Sequence, residues 1–214
     1  MSADLRITEI FYSLQGETNT AGIPTVFIRL TGCPLRCAYC DTAYAFTGGA
    51  KLSLDEIIGQ VRTYRTQYVT VTGGEPLAQT GCNELMVRLL DLGYQVSLET
   101  SGALDIGAVD GRVVKVMDLK TPSSGEMARN RYENLHYLRR QDQIKFVIGD
   151  ENDYAWSKQQ LEIYRLDDHC QVLFSPVTGQ MPAVALADKI LADQLPVRFQ
   201  IQLHKYLWND ERGK

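Results

Sequence analysis

The sequence predicts an α/β fold, a partial, splayed βα barrel of mostly parallel strands, on three observations. Short β-rich runs alternate with segments of helical period along most of the chain, and strand, helix, strand in succession means parallel strands joined by right-handed crossovers. Within several runs one face of the alternation is polar, whereas a closed barrel fills its lumen with branched apolar side chains. A polar inner face argues for an open barrel with room for a ligand; a polar face turned to solvent at a sheet edge is the competing explanation. At 214 residues the chain is also short for a complete eightfold barrel, which typically takes about 250. No repeat, low-complexity tract or linker interrupts it, so residues 1–214 are expected to form one domain.

The elements can be justified in order. The runs 25–30, 68–72, 95–100, 112–119, 143–148, 170–174 and 197–203 are rich in β-branched and aromatic residues and read as strands. The first amphipathic segment opens with Ser53-Leu54-Asp55-Glu56, a capping box, and then places Leu54, Ile57, Ile58, Val61 and Tyr64 on one stripe. A second carries Leu85, Met86, Leu89 and Leu90 and stops at Gly93. Further helices are expected over 152–165, where the stripe is weak, and 182–194, where Pro182 suits a first turn. The polar faces gather Phe27, Arg29 and Thr31 in one run and Ser97 with Glu99 in another. In the last run they gather Gln200, Gln202 and His204, opposite Phe199, Ile201 and Leu203.

Charge narrows the class of partner. Twenty-two basic against 26 acidic residues leave a formal net charge of −4, so no global field draws the chain onto nucleic acid or an anionic membrane, and a small molecule is the expected partner. No run approaches the roughly 20 apolar residues that span a bilayer, and the first residues lack the profile of a signal peptide; a cytoplasmic location is expected.

The segment "GCPLRCAYCDT" (32–42) sets Cys33, Cys37 and Cys40 in a C-x3-C-x2-C array on the loop that leaves the run 25–30. Loops at the carboxyl ends of parallel strands are where α/β folds bind ligands. A structural zinc site wants four ligands, and this array would have to borrow its fourth from Cys82, His169 or Cys170. An iron–sulfur cube is the natural alternative, because three thiolates hold three irons and leave one open for chemistry. A strand running into Gly73-Gly74-Glu75-Pro76 forms a second break where backbone can approach a ligand.

The cysteine spacing, with aromatic Tyr39 before the last cysteine, resembles the signature of the radical S-adenosylmethionine superfamily. "FYSLQGETNTAGIPTVFIRLTGCPLRCAYCDT", "ETSG" (99–102), "DLKTPSSGE" (118–126) and "QLHKYLW" (202–208) resemble, over nearly the whole chain, the 7-carboxy-7-deazaguanine synthase family. The resemblance implies a [4Fe–4S] cluster, S-adenosylmethionine and Mg2+. It also implies the conversion of 6-carboxy-5,6,7,8-tetrahydropterin to 7-carboxy-7-deazaguanine with loss of ammonia, begun by a 5′-deoxyadenosyl radical that takes hydrogen from C6. An external reductant of flavodoxin or ferredoxin type and a homodimer come with it.

On this resemblance Cys33, Cys37 and Cys40 ligate the cluster and Thr42 the Mg2+. Tyr39, Cys40, Asp41, Gly74, Asp118, Leu119, Lys120, Ser175, Pro176 and Val177 border the cofactor. Leu14, Gln15, Gly16, Arg29 and Thr72 bind substrate, and Glu17, Glu99 and His204 bind it or move its protons. Arg29, in the middle of an apolar strand, needs a partner: a substrate carboxylate, or a structural ion pair with Glu17 or Glu99. The polar tail after Trp208 is expected to be loose. An activase that installs a glycyl radical on a protein, a zinc-binding interaction module and a simple electron carrier are the competing readings.

Overall fold

The computed structural model describes residues 4–209 and 211–214. Its frame is one nine-stranded sheet. The strands are β1 (Asp4–Leu14), β2 (Pro24–Leu30), β3 (Ala50–Ser53), β4 (Tyr68–Gly73), β5 (Gln95–Thr100), β6 (Val114–Asp118), β7 (Gln143–Ile148), β8 (Gln171–Pro176) and β9 (Arg198–Phe199). Their order is β3-β1-β2-β4-β5-β6-β7-β8-β9. From β2 to β9 every neighbour is parallel, while β1 pairs antiparallel with both β2 and β3. The sheet curls without closing, as the polar inner faces require. No helix among the described residues is long and apolar enough to cross a membrane.

Among the described residues six α-helices connect and cover the strands: α1 (Leu54–Val61), α2 (Cys82–Asp91), α3 (Glu151–Ile163), α4 (Leu166–His169), α5 (Ala183–Ala192) and α6 (Leu203–Trp208). The capping box of α1 is complete: Ser53 Oγ accepts from Glu56 N, and the Glu56 carboxylate accepts from Ser53 N at 2.8 Å. Beyond α2, Gly93 turns the chain at φ +88°, a conformation that favours glycine.

Two-residue alternation divides each parallel strand between two environments. Val26, Ile28 and Leu30 of β2, Val69 and Val71 of β4, Val96 and Leu98 of β5, and Ile144, Phe146 and Ile148 of β7 face the helices and form the apolar core. Each such side chain contributes about 1.5–3 kcal/mol by leaving water. The intervening residues, Phe27 and Arg29, Thr72, Glu99, Val116 and Asp118, and Lys145 and Val147, line a cavity on the other side. One charged residue breaks the apolar layer. Lys115 of β6, 2% exposed in its side chain, meets the fully buried Asp142 at 3.0 Å. Asp142 also accepts from the main-chain N–H groups of Lys115 and Arg139, both at 2.8 Å, so its charge is satisfied inside the protein.

Periodicity does not foresee β1 and β3. In β1 the register with β2 shifts between Ile7 and Glu9, which interrupts the alternation a strand is read by. The expected strand over 197–203 is a correction in the other direction. β9 holds only two residues, because Gln200 then ties the chain to the β1–β2 turn, accepting from Thr18 N at 2.8 Å and donating to Thr18 O at 2.7 Å. Leu203 N donates to Gly16 O at 2.9 Å, and α6 begins there. His204 thus reaches the cavity from a helix.

Candidate active site

The carboxyl ends of the parallel strands surround a cavity of about 410 Å3. Most residues expected at a site line it: Leu14, Gln15, Gly16, Glu17, Arg29, Cys33, Cys37, Tyr39, Cys40, Asp41, Thr42, Thr72, Gly74, Glu99, Asp118, Lys120, Val177 and His204. Three do not. Leu119 belongs to the apolar core, and Ser175 and Pro176 are buried at the end of β8, just before Val177 and Thr178 at the cavity wall.

The cysteine loop starts where β2 ends and is held by a bond to a neighbouring loop and by its own Arg36. Ala38 N donates to Ser124 O at 2.9 Å, and Arg36 donates to the carbonyls of Cys33 and Leu35 at 2.8 and 2.6 Å while its guanidinium lies 4.3 Å from the Phe46 ring. The three thiols are free and partly exposed. Burial pushes the Cys37 thiol up to about 11 and raises Cys33 as well. Tyr39 is buried enough that its phenol is pushed up to about 12, and it hydrogen-bonds Thr121 Oγ1 at 3.2 Å. Cys82, His169 and Cys170, the side chains a zinc site would need, are not among the lining residues. Among the described residues no group of three or more His, Cys, Asp or Glu is placed to hold a single metal ion.

Gly73 and Gly74 lie against the end of β2. A Cβ on Gly73 would sit 2.3 Å from Leu30 O, and one on Gly74 would sit 2.2 Å from Gly32 O, so any side chain would push the two loops apart. Glu75, fully buried, completes the join: its N–H donates to Gly32 O at 2.8 Å. Its carboxylate accepts from Thr100 Oγ1 at 2.9 Å and Ser101 N at 2.8 Å. Three strand ends are thereby fixed beside the cysteines.

The floor is a chain of charges. Asp118 accepts from Lys120 Nζ at 2.9 Å and lies 3.8 Å from Lys145 Nζ, while its Oδ1 is buried with no hydrogen-bond partner. Lys145 donates to Glu17 Oε2, and Gln202 Nε2 donates to Glu17 Oε1 at 2.7 Å. Burial opposes the charge on Glu17, yet Lys145 outweighs it and holds the carboxyl below its ordinary range. Gln202 also reaches Asp41 at 3.2 Å, and Asp41 accepts from Lys205 at 2.9 Å and Thr42 Oγ1 at 2.8 Å. Against the cost of burial, these contacts keep Asp41 far below the usual carboxylate range.

Glu99 is held differently, by neutral donors alone: Thr72 Oγ1 at 2.9 Å and Gln15 Nε2 at 3.2 Å. Gln15 also donates to Thr70 Oγ1 at 3.1 Å and accepts from Glu17 N at 3.1 Å, so its amide is committed to the protein and braces both carboxylates. Arg29 pairs with neither expected partner. Its Nε donates to Glu9 Oε1 at 2.7 Å, opposite it in the β1–β2 ladder, and the guanidinium lies 5.7 Å from the Phe11 ring and 5.9 Å from that of Tyr44. Tyr44 OH donates to the same Glu9 oxygen at 2.7 Å. Asn209 and residues 211–214 of the tail line the cavity, with Arg212 placed 4.1 Å from the Tyr44 ring.

Sequence reasoning missed Glu9, Tyr44, Lys145 and Lys205, and set Gln202 on a polar face without giving it a role. Lys145 carried the same signal as Arg29, a cation inside an apolar strand, and was findable; Glu9 carried none, because its strand was not recognised.

Comparison with known proteins agrees with this geometry. The Radical SAM superfamily model matches residues 27–117. A 7-carboxy-7-deazaguanine synthase of Chlorobaculum tepidum is 44% identical, over 99% of this chain and 98% of that protein. Another, of Koribacter versatilis, is 42% identical over 97% and 98%. The crystal structure of QueE from Escherichia coli superposes with a TM-score of 0.78 at 22% identity over 94% of this chain and 95% of that one, which bears on the fold alone. From identity of this degree along almost its entire length, the chain belongs to the 7-carboxy-7-deazaguanine synthase family of radical SAM proteins.

Proposed function

We propose that this chain is a radical S-adenosylmethionine lyase that rearranges 6-carboxy-5,6,7,8-tetrahydropterin to 7-carboxy-7-deazaguanine with loss of ammonia, a step toward queuosine and other 7-deazapurines. One observation carries the reading: a single cavity joins three free thiols to an arginine and to two carboxylates held in different ways.

The residues suit the groups such chemistry needs. Cys33, Cys37 and Cys40 offer three thiols for a [4Fe–4S] cluster and leave one iron open. Asp118 Oδ1 is a buried acceptor without a partner on the cavity wall, a suitable contact for S-adenosylmethionine together with Tyr39, Asp41, Gly74, Lys120 and Val177. Leu119, Ser175 and Pro176 flank that set, just outside the cavity lining. When bound, cluster and cofactor supply the one-electron chemistry that removes hydrogen from C6 of the pterin. Thr42, next to Asp41, is the candidate ligand for Mg2+, whose shell would be completed by water and substrate oxygens.

The chain's own residues bind, orient and move protons. Arg29, steadied by Glu9, keeps its terminal amino groups for the substrate carboxylate. Glu17 is a fixed, ionised acceptor for ring N–H groups, with Leu14, Gly16 and Thr72 beside it. Glu99, whose donors among the described residues are the neutral side chains of Thr72 and Gln15, is the carboxylate proposed to move the substrate's protons. His204, which stands over Gly16, is a second candidate for binding substrate or moving its protons. The stacked rings of Phe11 and Phe27, 5.0 Å apart, form an apolar wall against water. The active form is a cytoplasmic homodimer served by a flavodoxin- or ferredoxin-type reductant.

Anaerobic reconstitution with iron and sulfide, followed by S-adenosylmethionine, a reductant, Mg2+ and 6-carboxytetrahydropterin, tests the reading. It requires 7-carboxy-7-deazaguanine by mass spectrometry, abolished in Cys37→Ala. Cofactor cleavage without that product overturns the substrate; bound zinc and no cluster overturns the whole.

A further inference from the structure

Among the described residues, Lys145 is the side chain that reaches both Glu17 and Asp118 on the charged floor. It rises from the middle of β7, 13% exposed, with Glu17 from the loop after β1 on one side and Asp118 of β6 at 3.8 Å on the other. The two carboxylates do not depend on it equally. Asp118 has its own cation, Lys120, at 2.9 Å, whereas among the described residues the Glu17 carboxylate has only Lys145 and the neutral amide of Gln202 as direct partners.

Resting on the function proposed above, we infer that Lys145 is a positioning residue for the pterin: it fixes Glu17 in place as an ionised acceptor of ring N–H groups. A carboxylate has about four lone-pair directions, so the Lys145 and Gln202 bonds leave capacity for two neighbouring donors on a bound heterocycle. Without the ammonium, a carboxylate that is 8% exposed would either take up a proton, turning an acceptor into a donor, or swing away. Lys145 is a poor proton donor itself. Burial works against its charge, but Glu17, Asp118 and Glu99 together raise its pKa, so the ammonium stays protonated and acts through Glu17.

The test measures binding without turnover. Reconstituted protein with S-adenosylmethionine and no reductant is dialysed to equilibrium against 6-carboxytetrahydropterin, and cofactor affinity is measured alongside. Lys145→Met is expected to weaken pterin binding about ten-fold or more and to leave cofactor affinity within about two-fold, since Lys120 still serves Asp118. In a Glu17→Gln background, removing Lys145 is expected to change pterin affinity no further. Equal pterin affinity in wild type and Lys145→Met overturns the inference, as do additive losses or equal losses for pterin and cofactor. If Lys145→Met does not fold, Lys145→Gln, which keeps a donor but no charge, carries the same expectations. A wild-type protein that retains no pterin overturns the proposed function itself, and this inference with it.

Discussion

Arg29 and Lys145 each set a cation inside an apolar strand, and each is answered by a carboxylate from another element, Glu9 for one and Glu17 for the other. The answer differs in what it leaves over. Glu9 takes only the Nε of Arg29, so a guanidinium retains a fork that an ammonium cannot offer. Arg29→Lys is therefore expected to raise KM for the pterin by about ten-fold or more, with KM for S-adenosylmethionine little changed, in steady-state assays. The buried pair Lys115–Asp142 serves the fold: Asp142→Ala leaves an unpaired ammonium among apolar side chains and should cost about 3–5 kcal/mol in urea unfolding. The cysteines allow a check on their protonation. With burial holding the Cys37 thiol at about 11, its thiolate is scarce near neutrality, and alkylation of Cys37 in the apo protein by iodoacetamide, followed at that residue by peptide mass spectrometry, should accelerate about ten-fold per pH unit through the neutral range. At this scale the sequence was most legible where a residue type contradicted its surroundings. Cysteines in a tight array and Arg29 in an apolar run stand out, while Gln15, read as a substrate ligand, revealed its bracing role only once Thr70 and Glu99 were beside it.

Among the elements, legibility followed periodicity. Parallel strands with regular alternation and helices with clear caps were foreseen, because local pattern and tertiary burial agree there. The elements that complete the cavity were not: β1 is broken by a register shift, and α6 exists because Gln200 and Leu203 are bonded to the distant β1–β2 turn. Such long-range hydrogen bonds leave no periodic trace. They do make α6 sensitive to its contact with Gly16, where a Cβ would lie 2.1 Å from His204 Nδ1 and 3.2 Å from its Cβ. Gly16→Ala is expected to displace α6 and with it the Lys205–Asp41 and Gln202–Glu17 contacts, lowering kcat about ten-fold or more. Its melting temperature should stay close to wild type, since α6 contributes nothing buried to the core. Ser53→Ala should behave in the opposite sense, costing about 1 kcal/mol of stability through the lost cap of α1 with kcat unchanged.

For the whole molecule, the question is whether the cluster builds the fold or merely occupies it. The contiguous apolar cluster runs through both ends of the sheet, and among the described residues it takes no fully buried side chain between Leu30 and Leu54; Leu35 and Ala45 in that stretch are buried outside it. The cysteine loop lies within that gap and is tied to the rest by a few hydrogen bonds from its main chain, such as Ala38 N to Ser124 O and Arg36 N to Glu126 Oε1. A small zinc domain has no comparable core and unfolds without its metal; here the sheet and its helices bury their apolar faces with no help from the thiols. The apo protein is therefore expected to unfold cooperatively with a native far-ultraviolet spectrum, as is a variant with all three cysteines changed to alanine. Loading the cluster should act locally, slowing amide hydrogen exchange in residues 33–47 while leaving the strands from β4 to β8 as protected as before. If chelating the iron instead melted the sheet in the same transition, the thiols would belong to the folding nucleus, and the division between a self-sufficient scaffold and a loop that receives the cluster would be wrong.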